Sequence, residues 1–465
     1  MRSEENCGFV IPAETERREG KGRGYGVLVL FIVSSVIAAG MGCFILRDRP
    51  GGIDYMMIHA ALRSMIEHRD PYRTSVMDAE WMRDGGRLPI NQETGKMEHI
   101  PPFPYPPTLA ILMPFSELSW KASHIIWMGT LILVLSIASY LLWRMCVQFA
   151  PNLSFLLLAL SLGTGSVFFA SGNPAGMAIG LCLIGCWCII NEQVPWLGVV
   201  CLAAGLLIKP HDVLLVWVCF LAAGGLLRRR ALQTLVVTML LALPGIWRIT
   251  QISPGWPSEL RANLAALSAR GEIDDPRPEA YSDHTAGVMI NLQAGVSLFD
   301  DNERVYNGMT FLVCGAMILV WLREIVRDRQ AERHIWYSLA VAAPITMLIS
   351  YHRSYDAKLL LICLPALLQL WSRRGVNGRI AFLLLATSIG LINEVTISFL
   401  NSLTQGLPVH RSGLSRYTPL VVLAHPISFT LLAMSLFTLR LYILAVRDST
   451  DEFVLESTRQ TMAAV

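Results

Sequence analysis

The chain has 465 residues, and a 53% hydrophobic content with a mean hydropathy of +0.48 makes lipid its solvent rather than water. A net charge of +3 is too small for a polyanion binder and no basic stretch is interleaved with aromatics, so no nucleic-acid partner is expected. Cys7 lies in the N-terminal tail and every other cysteine inside an apolar run, which excludes a disulfide framework in loops; Cys182, Cys186 and Cys188 read as small packing residues, having neither His nor acid nearby.

Residues 1–25 are polar and rich in arginine, predicting a disordered cytoplasmic tail. The run from Gly26 to Leu46 is too long for a signal-peptide core and lacks a convincing cleavage site, so it predicts a retained membrane helix. Gly51 to Tyr72 follows. Met57, Ile58, Ala61, Leu62, Met65 and Ile66 recur at helical spacing, with His59, Arg63 and Glu67 on the other side. Asp54 breaks this pattern by placing a carboxylate on the apolar face at the helix start. Two readings stand side by side: a general base whose pKa rises near a low-dielectric surface, or an N-cap whose pKa falls.

In HIPPFPYPPTLAILMPF, residues 99–115, the prolines are expected to forbid regular helix up to Pro107, and Thr108 to Phe115 to dip into the membrane edge. Further spans are predicted near 124–147, 152–170, 174–191, 195–209, 211–227, 231–251, 305–322, 334–351, 357–372, 380–401 and 418–445, about twelve in all. This is an all-α polytopic membrane protein: one transmembrane domain over 26–446, a tail at 447–465, and long outer loops at about 47–123 and 252–304. In the second loop, SPGWPSELRANLAALSAR predicts a short helix with Leu260, Leu264 and Leu267 inward, and DDPRP from Asp274 a turn or mobile crossing.

With both termini cytoplasmic, Arg228 to Arg230, Arg323, Arg327, Arg329, Arg333, Arg373, Arg374, Arg379 and Arg447 all fall inside, as the positive-inside rule asks of a multi-pass protein of the cell membrane. The unusual polar groups then share the outer side with Asp54: Ser171-Gly172-Asn173-Pro174, Lys209-Pro210-His211-Asp212, Asn291 with Gln293, and His352, Arg353, Asp356 and Lys358. Each alone has a bland explanation, such as a snorkelling lysine or a satisfied loop histidine. Together they predict a polar pocket, because ionisable groups at membrane depth cost about 2.5–3.5 kcal/mol each on insertion scales.

A carboxylate among cations and histidines, without a nucleophile triad, a phosphate loop or a Cys/His metal array, suits activation of a hydroxyl and stabilisation of a phosphate leaving group. That chemistry is glycosyl transfer from a lipid phosphate, with Asp54 as base and Lys209, His352 and Arg353 opposite the phosphate. One base without a second, nucleophilic carboxylate predicts inversion.

The arrangement resembles the polyprenyl-phosphate-sugar-dependent glycosyltransferases of the GT-C fold, most closely the family 87 mannosyltransferases. The matching residues are Asp54-Tyr55, Asp70-Pro71-Tyr72, Tyr105-Pro106-Pro107, Gly172-Asn173, Lys209-Pro210 and the stretch from His352 to Pro365. The resemblance implies a GT-C-like helical bundle, Asp54 as catalytic base, and a substrate site that includes Tyr105, Asn173, Lys209, His211, His352, Arg353 and Asp356. It implies a polyprenyl-phosphate mannose donor, a glycolipid or glycan acceptor of the cell envelope, surrounding membrane lipids, and no metal or other cofactor. The insert around Asp84 to Glu98 and the crowded HRSYD depart from the family pattern. A transporter or flippase, and a non-catalytic scaffold, are the competing classes; the first needs polar groups through the full depth of several helices.

Overall fold

The computed structural model describes residues 16–45, 52–88, 99–100, 105–270, 272, 274–277, 289–373, 375–393, 396, 399 and 426–463. These residues are helical and form no strand; one isolated bridge joins Met289 to Arg353. The chain runs through α1 (Glu16–Ile45), α2 (Ile53–Ile66), α3 (Thr74–Arg83), α4 (Pro106–Leu112), a 3₁₀ turn (Met113–Glu117), α5 (Trp120–Cys146), α6 (Pro151–Gly163) and α7 (Ser166–Ser171). It continues through α8 (Pro174–Ile190), α9 (Pro195–Ile208), α10 (Pro210–Ala223), α11 (Gly225–Ile252), α12 (Trp256–Leu267) and α13 (Leu292–Ser297). The last part holds α14 (Glu303–Arg327), α15 (Ala331–Ile349), a 3₁₀ helix (Ser354–Cys363), α16 (Leu364–Ser372), α17 (Gly375–Ile392) and α18 (Pro426–Ala463).

The all-α polytopic class is as expected, but its division into spans is not that of the hydropathy pattern. Seven helical segments among the described residues are long and apolar enough to cross a bilayer. The expected span at 152–170 stops at Thr164 and restarts as α7, and that at 357–372 opens as a 3₁₀ helix. Helix α1 begins ten residues before the expected span, inside what was read as tail, and α18 carries helix on to Ala463. The expected span at 380–401 is helical to Ile392; most of its remainder, like residues 89–98 of the insert, lies outside the described residues. Helix α4 starts at Pro106, earlier than the prolines were expected to allow: in the first turn of a helix the missing N–H has no partner to lose.

Helices α8 and α9 form the tightest antiparallel pair, packed through glycines. A β-carbon at Gly185 would lie 3.0 Å from the Gly198 carbonyl, and one at Gly205 would lie 3.0 Å from that of Ala178. Similar hairpins join α10 to α11, where the Trp217 indole donates to Ala231 O at 2.8 Å, and α14 to α15, where that of Trp321 donates to Ser338 Oγ at 2.9 Å. Helix α15 is buried continuously from His334 to Leu348, so it forms the centre of the bundle.

This alternation sorts the connections between two ends. Arg230 pairs with Glu192 at 3.2 Å, joining the α8–α9 and α10–α11 turns at one end, where Glu332 approaches Gly225. The starts of α8 and α10 and the end of α15 lie at the other end. There the loop helices pack on the bundle, α12 turning Leu260 and Leu267 inward as expected, with Leu264 half-buried.

Gly185→Val is expected to overpack the α8–α9 contact and cost about 1–3 kcal/mol. Thermal unfolding of the purified protein in detergent should show a lowered midpoint, whereas Gly129→Ala, whose added carbon meets nothing within 4 Å, should leave it unchanged or raised.

Candidate active site

Each polar cluster sits where a helix stops. Gly172 ends α7 with φ of 65°, in the left-handed region, and a β-carbon there would lie 3.1 Å from that of Tyr55. Asn173 then caps α8, its Oδ1 accepting the Ala175 N–H at 2.9 Å while its Nδ2 donates to Asp54 Oδ2 at 2.8 Å. Lys209 is the break between α9 and α10. Preceding a proline, it is pushed out of helical conformation to φ −149° and ψ 83°. Because the helix breaks at Lys209, the last carbonyls of α9 need another donor, and Thr108 of α4 bonds those of Leu207 and Ile208 at 2.9 and 3.2 Å. Beyond α15, His352 and Arg353 run extended against loop residues: Ile290 N donates to His352 O at 3.0 Å.

Helix α2 brings Asp54. The capping alternative fails, because the N-cap is Gly52 in the left-handed region with φ of 71°, and Asp54 lies inside the first turn. The helix start is pinned by Gly52 N donating to Ala170 O at 2.7 Å, and a β-carbon on Gly52 would strike the His124 ring at 2.6 Å. Tyr55 stacks on Trp127 with ring centres 4.5 Å apart and bonds Ser123 Oγ at 2.6 Å; the Trp127 indole donates to Gly172 O at 2.8 Å. The expected polar side of α2 is partly wrong. His59 is buried, because Asp84 at 2.7 Å and Leu118 O at 3.3 Å supply partners to both ring nitrogens.

Burial raises the pKa of Asp54; hydrogen bonds from Asn173 and Ser171 oppose the rise, and the charges of Arg353 and Lys209 oppose it less. The Lys209 ammonium bonds Asp356 Oδ1 and lies 3.5 Å from Asp212 Oδ2, over the Tyr355 ring. Asp356 Oδ2 accepts the Arg353 N–H at 2.9 Å, closing the start of the 3₁₀ helix, so both its oxygens are engaged. His352 Nε2 lies 3.0 Å from Asp212 Oδ1, and the rings of His211 and His352 meet edge to face at 5.1 Å. Arg353 pairs with Asp274 at 3.0 Å.

Asn173 thus holds Asp54, while Lys209, His211, His352, Arg353 and Asp356 are linked to one another through Asp212 and the start of the 3₁₀ helix, and the charges of Lys209 and Arg353 act on Asp54. Tyr105 is not among them: it is 39% exposed at the start of α4 and takes no part in the cluster's hydrogen bonds among the described residues. Lys358 also departs, its ammonium bonding Ser161 O at 3.1 Å and lying over Phe168. Asn291, expected on the same face, caps α13 and turns its Nδ2 to Gln293. Three contributors were given no role by the sequence. Asp212 was named within the KPHD polar cluster but not among the site residues. Asp274 was read as part of a turn or mobile crossing and given no role; the turn is what forms, fixed by Ser297 Oγ donating to Pro276 O at 2.7 Å. Thr108 gave no signal at all. A separate polar groove lined by His68, Arg69, Asp70, Arg73 and Glu259 lies beyond the far end of α2. At 1.5 Å per residue it is about 20 Å from Asp54 and is not part of this cluster.

The profile of glycosyltransferase family 87 matches residues 103–351, more than half of the chain. The chain belongs to glycosyltransferase family 87. This makes it a membrane glycosyltransferase and agrees with the GT-C superfamily assignment. No curated protein and no solved structure matches it. The family 87 match contains Asn173, Lys209, His211 and Asp212, begins after Asp54 and stops one residue before His352.

Trp127→Phe is expected to leave the buried Gly172 carbonyl without its donor, at about 1–3 kcal/mol. Differential scanning fluorimetry of the purified variant should show a clearly lowered melting temperature.

Proposed function

We propose that the chain transfers a hexose, mannose by family resemblance, from a polyprenyl-phosphate donor to a glycolipid or glycan acceptor of the cell envelope, with inversion at the anomeric carbon. The observation carrying this reading is a carboxylate of raised pKa, Asp54, held by Asn173 and Ser171 beside the buried cations Lys209 and Arg353. Asp54 takes the proton of the acceptor hydroxyl as its oxygen bonds the anomeric carbon. The bond from that carbon to the donor phosphate oxygen breaks, and its electron pair leaves with the polyprenyl phosphate. Lys209, Arg353, His211 and His352 face the charge growing on that phosphate, with Asp356 and Asn173 holding the cations and the base in place. Orientation follows from charge: the arginines of the α10–α11 and α14–α15 turns mark the cytoplasmic end, so the site opens on the extracytoplasmic side.

Asp54→Asn removes the base and keeps the shape. Transfer from a radiolabelled polyprenyl-phosphate sugar should fall by about 10²- to 10⁴-fold with expression and thermal stability retained. Unimpaired transfer by the purified variant would remove Asp54 from this role.

The base works only when deprotonated, so activity is lost as pH falls through a pKa that burial has lifted above the ordinary carboxylate value. Asn173→Asp keeps the α8 cap but sets a second carboxylate beside Asp54, lifting that pKa further. A pH profile of kcat/KM should show the acid limb displaced to higher pH in this variant.

A further inference from the structure

We infer that His211, Asp212 and His352 form a binding site for a divalent transition-metal ion of the zinc class. The KPHD turn at the start of α10 supplies two of the three ligands, and the extended segment after α15 the third. His352 Nε2 is 3.0 Å and His211 Nε2 4.0 Å from Asp212 Oδ1, and one ligand atom from each residue lies within 4.8 Å of the others. Metal bonds of about 2.0–2.2 Å hold such atoms roughly 3–4 Å apart, so small side-chain rotations close the shell.

The state of the donor atoms is the second observation. Asp212 and His352 are fully buried, yet Asp212 has only ion-pair contacts, Oδ1 with His352 Nε2 at 3.0 Å and Oδ2 with Lys209 at 3.5 Å, and His211 Nε2 makes no hydrogen bond. His352 Nδ1 faces Ser350 O at 3.1 Å, so the other ring nitrogen, Nε2, is turned toward Asp212 Oδ1. A contact of this kind needs positive charge between the two atoms, supplied by a proton on the ring or by a metal ion. A carbonyl on the far nitrogen of a ligating histidine is also the usual way its ring is oriented toward a metal.

Charge gives the third argument. Asp212 and Asp356 share the single ammonium of Lys209, and Arg353 is matched by Asp274, so these five side chains sum to one negative charge where a phosphate is proposed to bind. A dication reverses that sign. Two imidazoles with one carboxylate suit zinc-like ions better than magnesium or calcium, and three protein ligands leave a position open for an oxygen. The ligand for that position is a phosphate oxygen of the lipid-linked donor, a clause that rests on the transferase reading above; the metal site itself does not.

The test reads metal directly. Tag-free, full-length protein is purified in detergent, stripped with a chelator and dialysed against zinc, and its metal content is measured by mass spectrometry. Cobalt(II) is loaded in parallel for its visible absorption. The expected result is about one zinc per wild-type chain, a cobalt spectrum typical of low coordination number, and affinity reduced about tenfold or more in Asp212→Asn and His352→Gln. His211→Gln, at the half-exposed ligand, covers the case in which a buried variant fails to fold. A folded, monodisperse wild-type protein that takes up no zinc overturns the proposal, as does equal uptake by folded ligand variants. Failure of sugar transfer in a protein that does bind zinc falls on the transferase reading instead.

Discussion

The Lys209 ammonium, bonded to Asp356 and close to Asp212, is the contact on which the arrangement of the site depends. It joins the end of α9, the start of α10 and the start of the 3₁₀ helix, stretches separated by up to 147 residues in sequence. Such a buried ion pair is a weak source of net stability, because desolvating its members offsets most of their attraction. Breaking it is another matter: a lone charge left inside costs about 3–5 kcal/mol. The pair therefore acts as a positional constraint. Any packing of these helices that separated Lys209 from its acids would strand charges in an apolar core, and the same constraint brings His352 and Arg353 to the site end.

Helix termini explain how so many carboxylates are tolerated there. Asp54, Asp212 and Asp356 each lie in the first turn of their helix, where free N–H groups and the positive end of the backbone dipole favour negative charge. Helix α8 begins at the same end, with Asn173 satisfying one of its N–H groups. The site is thus made of helix starts turned toward one region. The opposite end of the bundle collects the arginine-rich turns, and the buried polar contacts described there, such as His334 and Tyr442 on Asp328, tie α14, α15 and α18 together.

Much of this was legible in the sequence, for a physical reason. Proline after lysine and glycine before asparagine break helices in known ways, so KPHD and SGNP could be placed at helix ends, and alternation of spans put those ends together. Hydropathy reads compatibility with lipid and is blind to a backbone that breaks inside an apolar run, so Thr164 and the 3₁₀ stretch from Ser354 were missed. The cap reading of Asp54 would start the helix two residues later than it does, a difference that only the left-handed Gly52 and the Ala170 carbonyl reveal. Asp274 and Thr108 depend on partners far along the chain, Arg353 and the end of α9, and carry no local pattern.

The family match supplies the cradle without Asp54, yet the residues that fix Asp54 lie within it. Ala170 receives the first N–H of the turn before α2, Trp127 stacks on Tyr55, Gly172 leaves room for the Tyr55 β-carbon, and Asn173 bonds the carboxylate. All four belong to residues 103–351. A carboxylate delivered to this cradle must therefore enter on a helix whose cap has no β-carbon, with a flat aromatic ring directly after the acid. Gly52-Ile53-Asp54-Tyr55 meets that demand, so the short stretch ahead of the match is held in place by residues inside it.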